Sequence, residues 1–208
     1  MSKEIFRIHS IIVPGVRRDI GIVRKVFQLK KHPQITGVTL FNARWSKPED
    51  YQSKVGRLLD TIDETRKENP HTPVVLFGIS AGGAISMNAS HERPEQELTK
   101  TLISARLRTG YSTLFTQKEV LDHFPSHREA VRVFEEDVEP ALTERERTKT
   151  LTMIPAIFDE VVPVKSMFLS GAEVCGVPNT STHTEGIAAV FSTLLQVVLD
   201  FAERNAVI

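Results

Sequence analysis

Short apolar runs alternate along the chain with longer segments whose apolar residues recur at helical spacing. The strongest run, residues 73–78, is continuously apolar, as a strand buried on both faces of a parallel sheet must be. Alternation of this kind predicts an α/β fold, with about six mostly parallel strands and helices on both faces. The other strands are predicted at 11–13, 37–41, 98–105, 150–158 and 164–170, and helices at 18–31, 48–69, 81–91 and 184–204.

One segment, residues 113–149, breaks this alternation. It contains two or three charged helical patterns, at about 116–124, 127–138 and 141–148, and no strand pattern. We therefore expect one domain over residues 1–208 with a helical insertion after the fourth strand. The apolar side of the insertion either only packs on the sheet or covers a substrate pocket as a cap. That side comprises Val120, Leu121, Phe124, Val131, Phe134, Val138 and Leu142.

Composition narrows the function classes. Among 208 residues, 26 Lys and Arg balance 26 Asp and Glu, so no surplus charge favours nucleic acid or an anionic membrane. No run of about 20 apolar residues predicts a membrane span, and the first residues lack the pattern of a signal peptide. Cys175 is the only cysteine and is expected to be a buried small residue. These features predict a cytoplasmic protein.

The sequence Gly78-Ile79-Ser80-Ala81-Gly82 matches the G-x-S-x-G motif. In such a motif the serine occupies a sharp turn between a strand and a helix, and small neighbours allow close backbone approach. Here an apolar strand pattern precedes the motif and a helical pattern follows it. The alternative is a phosphate-binding turn, which would need the lysine of a P-loop or the G-x-G-x-x-G spacing, and the segment has neither.

With this motif the chain resembles the α/β-hydrolase family over nearly its whole length. The family order is a serine, then an acid after a late strand, then a histidine before the last helix. The resemblance implies Ser80 as nucleophile, Asp159 (within 158–163, FDEVVP) as the acid and His183 as the base. Glu160 is the alternative acid. The other histidines are expected at the surface or in capping positions: His9, His32, His71, His91, His123 and His127.

The resemblance also implies two backbone amides that bind an oxyanion. One is the amide of Ala81, directly after the serine. The other is the amide of Val16, in the loop after the first strand, although this chain has Pro14-Gly15 where the family commonly has His-Gly. Few residues precede the first strand, so we expect a compact core without the antiparallel hairpin that usually opens the family's sheet.

The implied activity is acyl transfer to water on a small-molecule acyl substrate, with a carboxylic ester or thioester as the expected bond. Neither a metal-ligand cluster nor a cofactor motif is evident, so none is expected. The alternative is a module that has kept the fold, lost turnover and binds or signals. The sequence does not identify substrate-binding residues.

Four residues follow the second and fourth predicted strands and are expected near the carboxyl edge of the sheet. They either form ion pairs with the acidic insertion or recognise a carboxylate or phosphate on the substrate. These residues are Arg44, Trp45, Arg106 and Arg108.

Overall fold

A computed structural model describes residues 5–16, 29–111, 124–155, 159, 161–177 and 182–206. Two of the predicted helices, at 18–31 and 116–124, fall almost wholly outside the described residues. The alternative acid Glu160 and the histidine His123 also lie outside them.

The centre of the molecule is a parallel sheet with the strand order β2-β1-β3-β4-β5-β6. Strands β3, β4 and β5 are buried along their whole length, and this explains the continuously apolar sequence of β3. This architecture confirms the predicted fold class. The strands are Ile8–Val13 (β1), Ile35–Leu40 (β2), Val74–Ile79 (β3), Thr99–Ile103 (β4), Thr150–Pro155 (β5) and Glu173–Val177 (β6).

Helices cover both faces of this sheet because alternate residues of each strand point to opposite sides. On one face, Leu76 packs with helices α1 (Tyr51–Glu68) and α2 (Gly82–His91). On the other face, Phe77 packs with helices α6 (His183–Ser192) and α7 (Leu195–Asn205). The elements are therefore held by two apolar layers that share the strands.

The described part of the insertion belongs to the first of these layers. It comprises α3 (Pro125–Val133), a π-helical turn (Phe134–Val138), α4 (Glu139–Ala141) and α5 (Glu144–Thr148). Its buried side chains pack with α1 and α2 rather than directly on the sheet; they are Val131, Phe134, Val138 and Leu142. A role of the insertion as a cap over a substrate pocket stays a prediction.

The prediction of a sixth strand at 164–170 is wrong. That segment begins with a 3-10 turn, Val164–Ser166, in which Ser166 donates from both its amide and its hydroxyl to the Pro163 carbonyl, at 2.8 and 2.7 Å. The actual sixth strand, β6, follows it. β6 is an edge strand whose residues are mostly exposed or half-buried, so it lacks the apolar run that marks the central strands.

The closing helix predicted at 184–204 is two helices, α6 and α7, whose axes differ by 65°. Both helices contact the sheet. No single helix among the described residues is long and apolar enough to cross a membrane, and only this bent pair passes by length and composition when its halves are counted together.

Candidate active site

Ser80 lies on the turn between β3 and α2 and has a backbone φ of 52°. A positive φ is costly for a residue with a side chain and persists only where the surroundings fix it. Here the Ser80 amide donates to the Ile103 carbonyl over 3.0 Å. The Ser80 carbonyl accepts from the amides of Gly83 and Arg106, each over 3.1 Å. Strand β4 and helix α2 therefore hold the turn in its strained form.

The glycine after the turn is required by close backbone contact. A Cβ atom at Gly82 would lie 2.0 Å from the carbonyl oxygen of Val13, far inside van der Waals contact. The end of β1 therefore passes directly against the start of α2. This contact supplies a physical reason for the last glycine of the motif.

Asp159 follows β5, and its buried carboxylate, only 1% exposed, meets His183 at the first residue of α6. His183 Nδ1 donates to Asp159 Oδ2 over 2.7 Å. Asp159 Oδ1 accepts from the amides of Val161 and Val162, over 2.9 and 2.7 Å. Three donors thus converge on the carboxylate, and its hydrogen bond to Nδ1 fixes the orientation of the imidazole ring.

The three predicted residues follow the carboxyl ends of three parallel strands, which all lie at one edge of the sheet. Ser80 follows β3, Asp159 follows β5 and His183 follows β6. The hydrogen bond at 2.7 Å shows directly that Asp159 and His183 are brought together. Their part in catalysis stays a prediction.

The loop after β1 passes beside the Ser80 hydroxyl. A Cβ atom at Gly15 would lie 3.0 Å from Ser80 Cβ and 3.3 Å from Ser80 Oγ. Val16 follows in this loop and is half-buried, and Ala81 is the buried N-cap residue of α2. Val16 directly follows Gly15, which lies beside Ser80, and Ala81 directly follows Ser80. That their amides bind an oxyanion stays a prediction.

A cavity of about 320 Å³ adjoins this loop and is lined by residues 14–16 and 42–47. Trp45 is buried and donates from Nε1 to the Pro14 carbonyl over 3.2 Å, so it ties the loop after β2 to the loop beside Ser80. Arg44 is exposed at the same cavity and has a positive φ of 49°.

The four residues considered for anion recognition do not form one cluster. Arg108 pairs with Glu139 of the insertion over 2.6 Å, as the ion-pair interpretation predicts. Arg106 is buried and donates from Nη2 to the Tyr111 carbonyl over 2.9 Å. Trp45 donates from Nε1 to the Pro14 carbonyl, as described above. Arg44 and Trp45 therefore both line the cavity, and Arg44 is the arginine of the group that does so.

His127 corrects the expectation of a surface or capping histidine. It is buried, and its ring meets Trp45 edge-on with centroids 5.6 Å apart. Neither ring nitrogen has a hydrogen-bond partner within the described structure. Burial, and to a smaller extent the nearby Arg106 charge, lower the pKa of His127 to about 3. Sequence reasoning missed this residue because its partners lie far away along the chain.

Cys175 also differs from its prediction. It lies on the edge strand β6 and is half-buried rather than buried. Burial raises the pKa of its thiol, with a smaller contribution from Glu173. No group of three or more His, Cys, Asp or Glu residues suited to a metal ion occurs among the residues that the structure describes.

Comparisons with known proteins assign the fold. No protein-family model and no curated protein sequence match the chain. Among the solved structures that resemble it is an α/β-hydrolase enzyme from the metagenome of sediments of the Mar Chica lagoon, Morocco, with 16% identity and a TM-score of 0.56, covering 95% of this chain and 91% of that one. A carboxylesterase of the thaumarchaeon Nitrososphaera gargenis has 13% identity and a TM-score of 0.58, covering 95% of this chain and 92% of that one. A predicted CIB-like hydrolase from Thermoplasma acidophilum has 16% identity and a TM-score of 0.58, covering 97% of this chain and 89% of that one.

These likenesses cover almost the full length of each chain. The protein therefore has the α/β-hydrolase fold.

Proposed function

We propose that the protein is a serine hydrolase that cleaves a carboxylic ester or thioester through an acyl-enzyme intermediate. The observation that carries the proposal is one edge of the sheet that holds a serine at φ 52° and an Asp159–His183 hydrogen bond of 2.7 Å. The fold is shared with esterases and other hydrolases, which supports hydrolysis as the reaction class.

In the proposed reaction, His183 removes the proton of the Ser80 hydroxyl as Ser80 Oγ attacks the carbonyl carbon. Because Nδ1 donates to Asp159, Nε2 is the nitrogen that exchanges this proton. The carboxylate stabilises the imidazolium that forms, and the amides of Val161 and Val162 hold the carboxylate in position. The histidine then protonates the leaving alcohol or thiol, and water releases the acyl group by the same steps.

The tetrahedral intermediate requires donors for its oxyanion. We assign this role to the amides of Ala81 and Val16. Ala81 begins the α2 helix, whose N-terminal amides favour negative charge. Val16 follows Gly15, the residue in contact with Ser80. The adjoining cavity, about 320 Å³, is within the size range of small-molecule sites and can hold part of an acyl substrate.

Covalent labelling tests the nucleophile. Intact-mass analysis after exposure to a fluorophosphonate should give one adduct on the wild type and none on Ser80→Ala. Ser192→Ala is the matched control, since Ser192 is an exposed serine at the end of α6 and is not part of the wall of this cavity. The control should be labelled like the wild type. The wild type and the control should hydrolyse p-nitrophenyl butyrate, and Ser80→Ala should not.

Two results would contradict the proposal. An adduct that persists on Ser80→Ala would place the reactive group elsewhere. A folded wild type that forms no adduct and hydrolyses no ester would favour the alternative of a binding module that has lost turnover.

A further inference from the structure

A second cavity, of about 210 Å³, lies at the amino end of the sheet, opposite the candidate active site. It is enclosed by the end of α2, the start of β4 and the segment around α5. Its wall includes the side chain of Lys100. A protein cavity of about 150 Å³ can hold benzene, so this one has room for a small organic molecule.

Lys100 is an unusual residue to find in that wall. It lies in β4, at the centre of the sheet, and is 2% exposed. Its Nζ donates to the Ser90 hydroxyl over 3.4 Å, a long hydrogen bond to a neutral group. Lysines are rarely buried unless they are paired with a carboxylate, and no described carboxylate lies at ion-pair distance.

The two carboxylates of this cavity are engaged elsewhere. Glu97 pairs with Lys149 over 2.7 Å and with Arg145 over 2.5 Å. Glu146 pairs with His91 over 2.9 Å and accepts from the amide and hydroxyl of Thr143. Among the described residues, compensation for the burial of Lys100 thus comes from the long hydrogen bond to Ser90 and the longer-range field of Glu146.

This environment favours the neutral amine. Burial lowers the pKa of Lys100 to about 8, against a smaller raising effect of Glu146 and a smaller lowering effect of Lys149. At pH 8 about half of such amines are neutral, compared with roughly 0.4% for a lysine of ordinary pKa. Only the neutral amine is a nucleophile, and desolvation in a pocket is a known way to activate lysine.

We propose that Lys100 is a covalent binding site for small aldehydes or ketones, which enter the cavity at the amino end of the sheet and form an imine with Nζ. The lone pair of Nζ attacks the carbonyl carbon, and the carbonyl oxygen takes up a proton to give a carbinolamine. The C–O bond then breaks and the oxygen leaves as water, while nitrogen gives up its remaining proton to solvent. The net products are an imine and one water, so no oxidant or reductant is needed.

The site is separate from the proposed hydrolytic centre. Lys100 is three residues before Ile103, the residue whose carbonyl binds the Ser80 amide at the other end of β4. That separation is about 10 Å along the strand. The inference therefore does not depend on Ser80 being active.

Reductive trapping tests the proposal in the full-length protein. Butanal with sodium cyanoborohydride at pH 8 should alkylate Lys100 at least about tenfold faster than the exposed lysines Lys47 and Lys67, as measured by peptide mass mapping. Lys100→Met should lose the fast phase, whereas Lys67→Met, at an exposed position outside the cavity wall, should keep it. In urea-unfolded protein the advantage of Lys100 should vanish, because it depends on the cavity.

Because each lysine is followed separately in the wild type, the result does not rest on the folding of a variant. An unmodified Lys100 in protein whose surface lysines react would overturn the proposal. So would a Lys100 rate equal to that of Lys47, or a Lys100 advantage that survives unfolding.

Discussion

Two buried charged groups lie at opposite ends of the same sheet, and their surroundings differ sharply. At the carboxyl end, the carboxylate of Asp159 accepts from two backbone amides and from His183, all within 2.9 Å. At the amino end, the one hydrogen bond that Lys100 Nζ makes within the described part of the chain is to the Ser90 hydroxyl, at 3.4 Å. Both side chains are almost fully buried, at 1% and 2% exposure.

The difference teaches that burial alone does not decide how well the protein replaces the water around a polar group. Convergent donors replace the lost water around the Asp159 carboxylate, which is held against the histidine. Lys100 receives no such replacement, so its surroundings favour the neutral form. The carboxyl end of the sheet supplies several short hydrogen bonds to its buried group, whereas the amino end supplies one long hydrogen bond to its buried amine. The following variants test each side of this contrast.

The largest effect is expected from Asp159→Asn. The amide carries no charge and can present a donor to Nδ1, so the histidine adopts the wrong tautomer. In the serine protease triad the equivalent change lowers kcat by about 10⁴, and we expect a loss of ~10³ to 10⁴ in kcat for p-nitrophenyl butyrate. Asp60→Asn, at an exposed position of α1, is the control. Retention of a tenth or more of wild-type kcat would show that Asp159 does not orient the base.

Lys100→Met should stabilise the protein at pH 7. The folded-state pKa of about 8 lies below the unfolded value of 10.5, so the native state binds fewer protons between these pH values. The penalty for burying the charge is fully present below pH 8 and is lost as pH rises toward 10.5, and it is on the order of 3 kcal/mol. Urea unfolding of Lys100→Met and wild type at pH 7 and pH 9.5 measures this penalty as a difference in the free energy of unfolding.

In that experiment, the stability difference between Lys100→Met and wild type should shrink at the higher pH. Lys67→Met, at an exposed position near the end of α1, should show no such change. Equal stability of Lys100→Met and wild type at pH 7 would mean that the lysine is compensated after all, and the contrast between the two ends would fail.

The loss of stability at acid pH tests whether the buried ring of His127 lacks hydrogen-bond partners in the folded protein. Its pKa of about 3 lies below the unfolded value of 6.5, so protons bind the unfolded state first as pH falls. This contribution is absent above pH 6.5, and between pH 6.5 and 5 it should cost on the order of 2 kcal/mol of unfolding free energy. His127→Gln should flatten this decline, and His71→Gln, at an exposed position, should not. An unchanged acid profile in His127→Gln would show that the ring is protonated within the fold.

The elements around Ser80 could be predicted because their signals are local. Residues 73–78 form an uninterrupted apolar run, and the glycines beside Ser80 meet a steric need that any such turn imposes. The sixth strand could not be predicted in this way, because Glu173–Val177 is an edge strand that pairs with β5 on one side. Its residues are mostly exposed or half-buried and carry little apolar pattern.

The pairing of Asp159 with His183 was expected from family resemblance and not from spacing, since the two residues are 24 positions apart. The burial of His127 depends on Trp45, which arrives from the loop after β2. Lys100 lies in a strand with the sequence TKTLI, a pattern that does not indicate whether the lysine is exposed or buried. Such features arise from contacts distant in sequence, so only the folded structure discloses them.

The smallest effect is expected from Gly15→Ala, which tests how tightly the carboxyl end is organised. The added methyl group would lie 3.0 Å from Ser80 Cβ and 3.3 Å from Ser80 Oγ, so the loop or the serine must shift by a few tenths of an ångström. Displacement of reacting groups on this scale should lower kcat for p-nitrophenyl butyrate by about tenfold. Gly110→Ala is the control, because a Cβ atom there meets no atom within 4 Å. Full activity in Gly15→Ala would mean that the loop after β1 adapts freely, and the amide of Val16 would then be a poor choice for the second oxyanion donor.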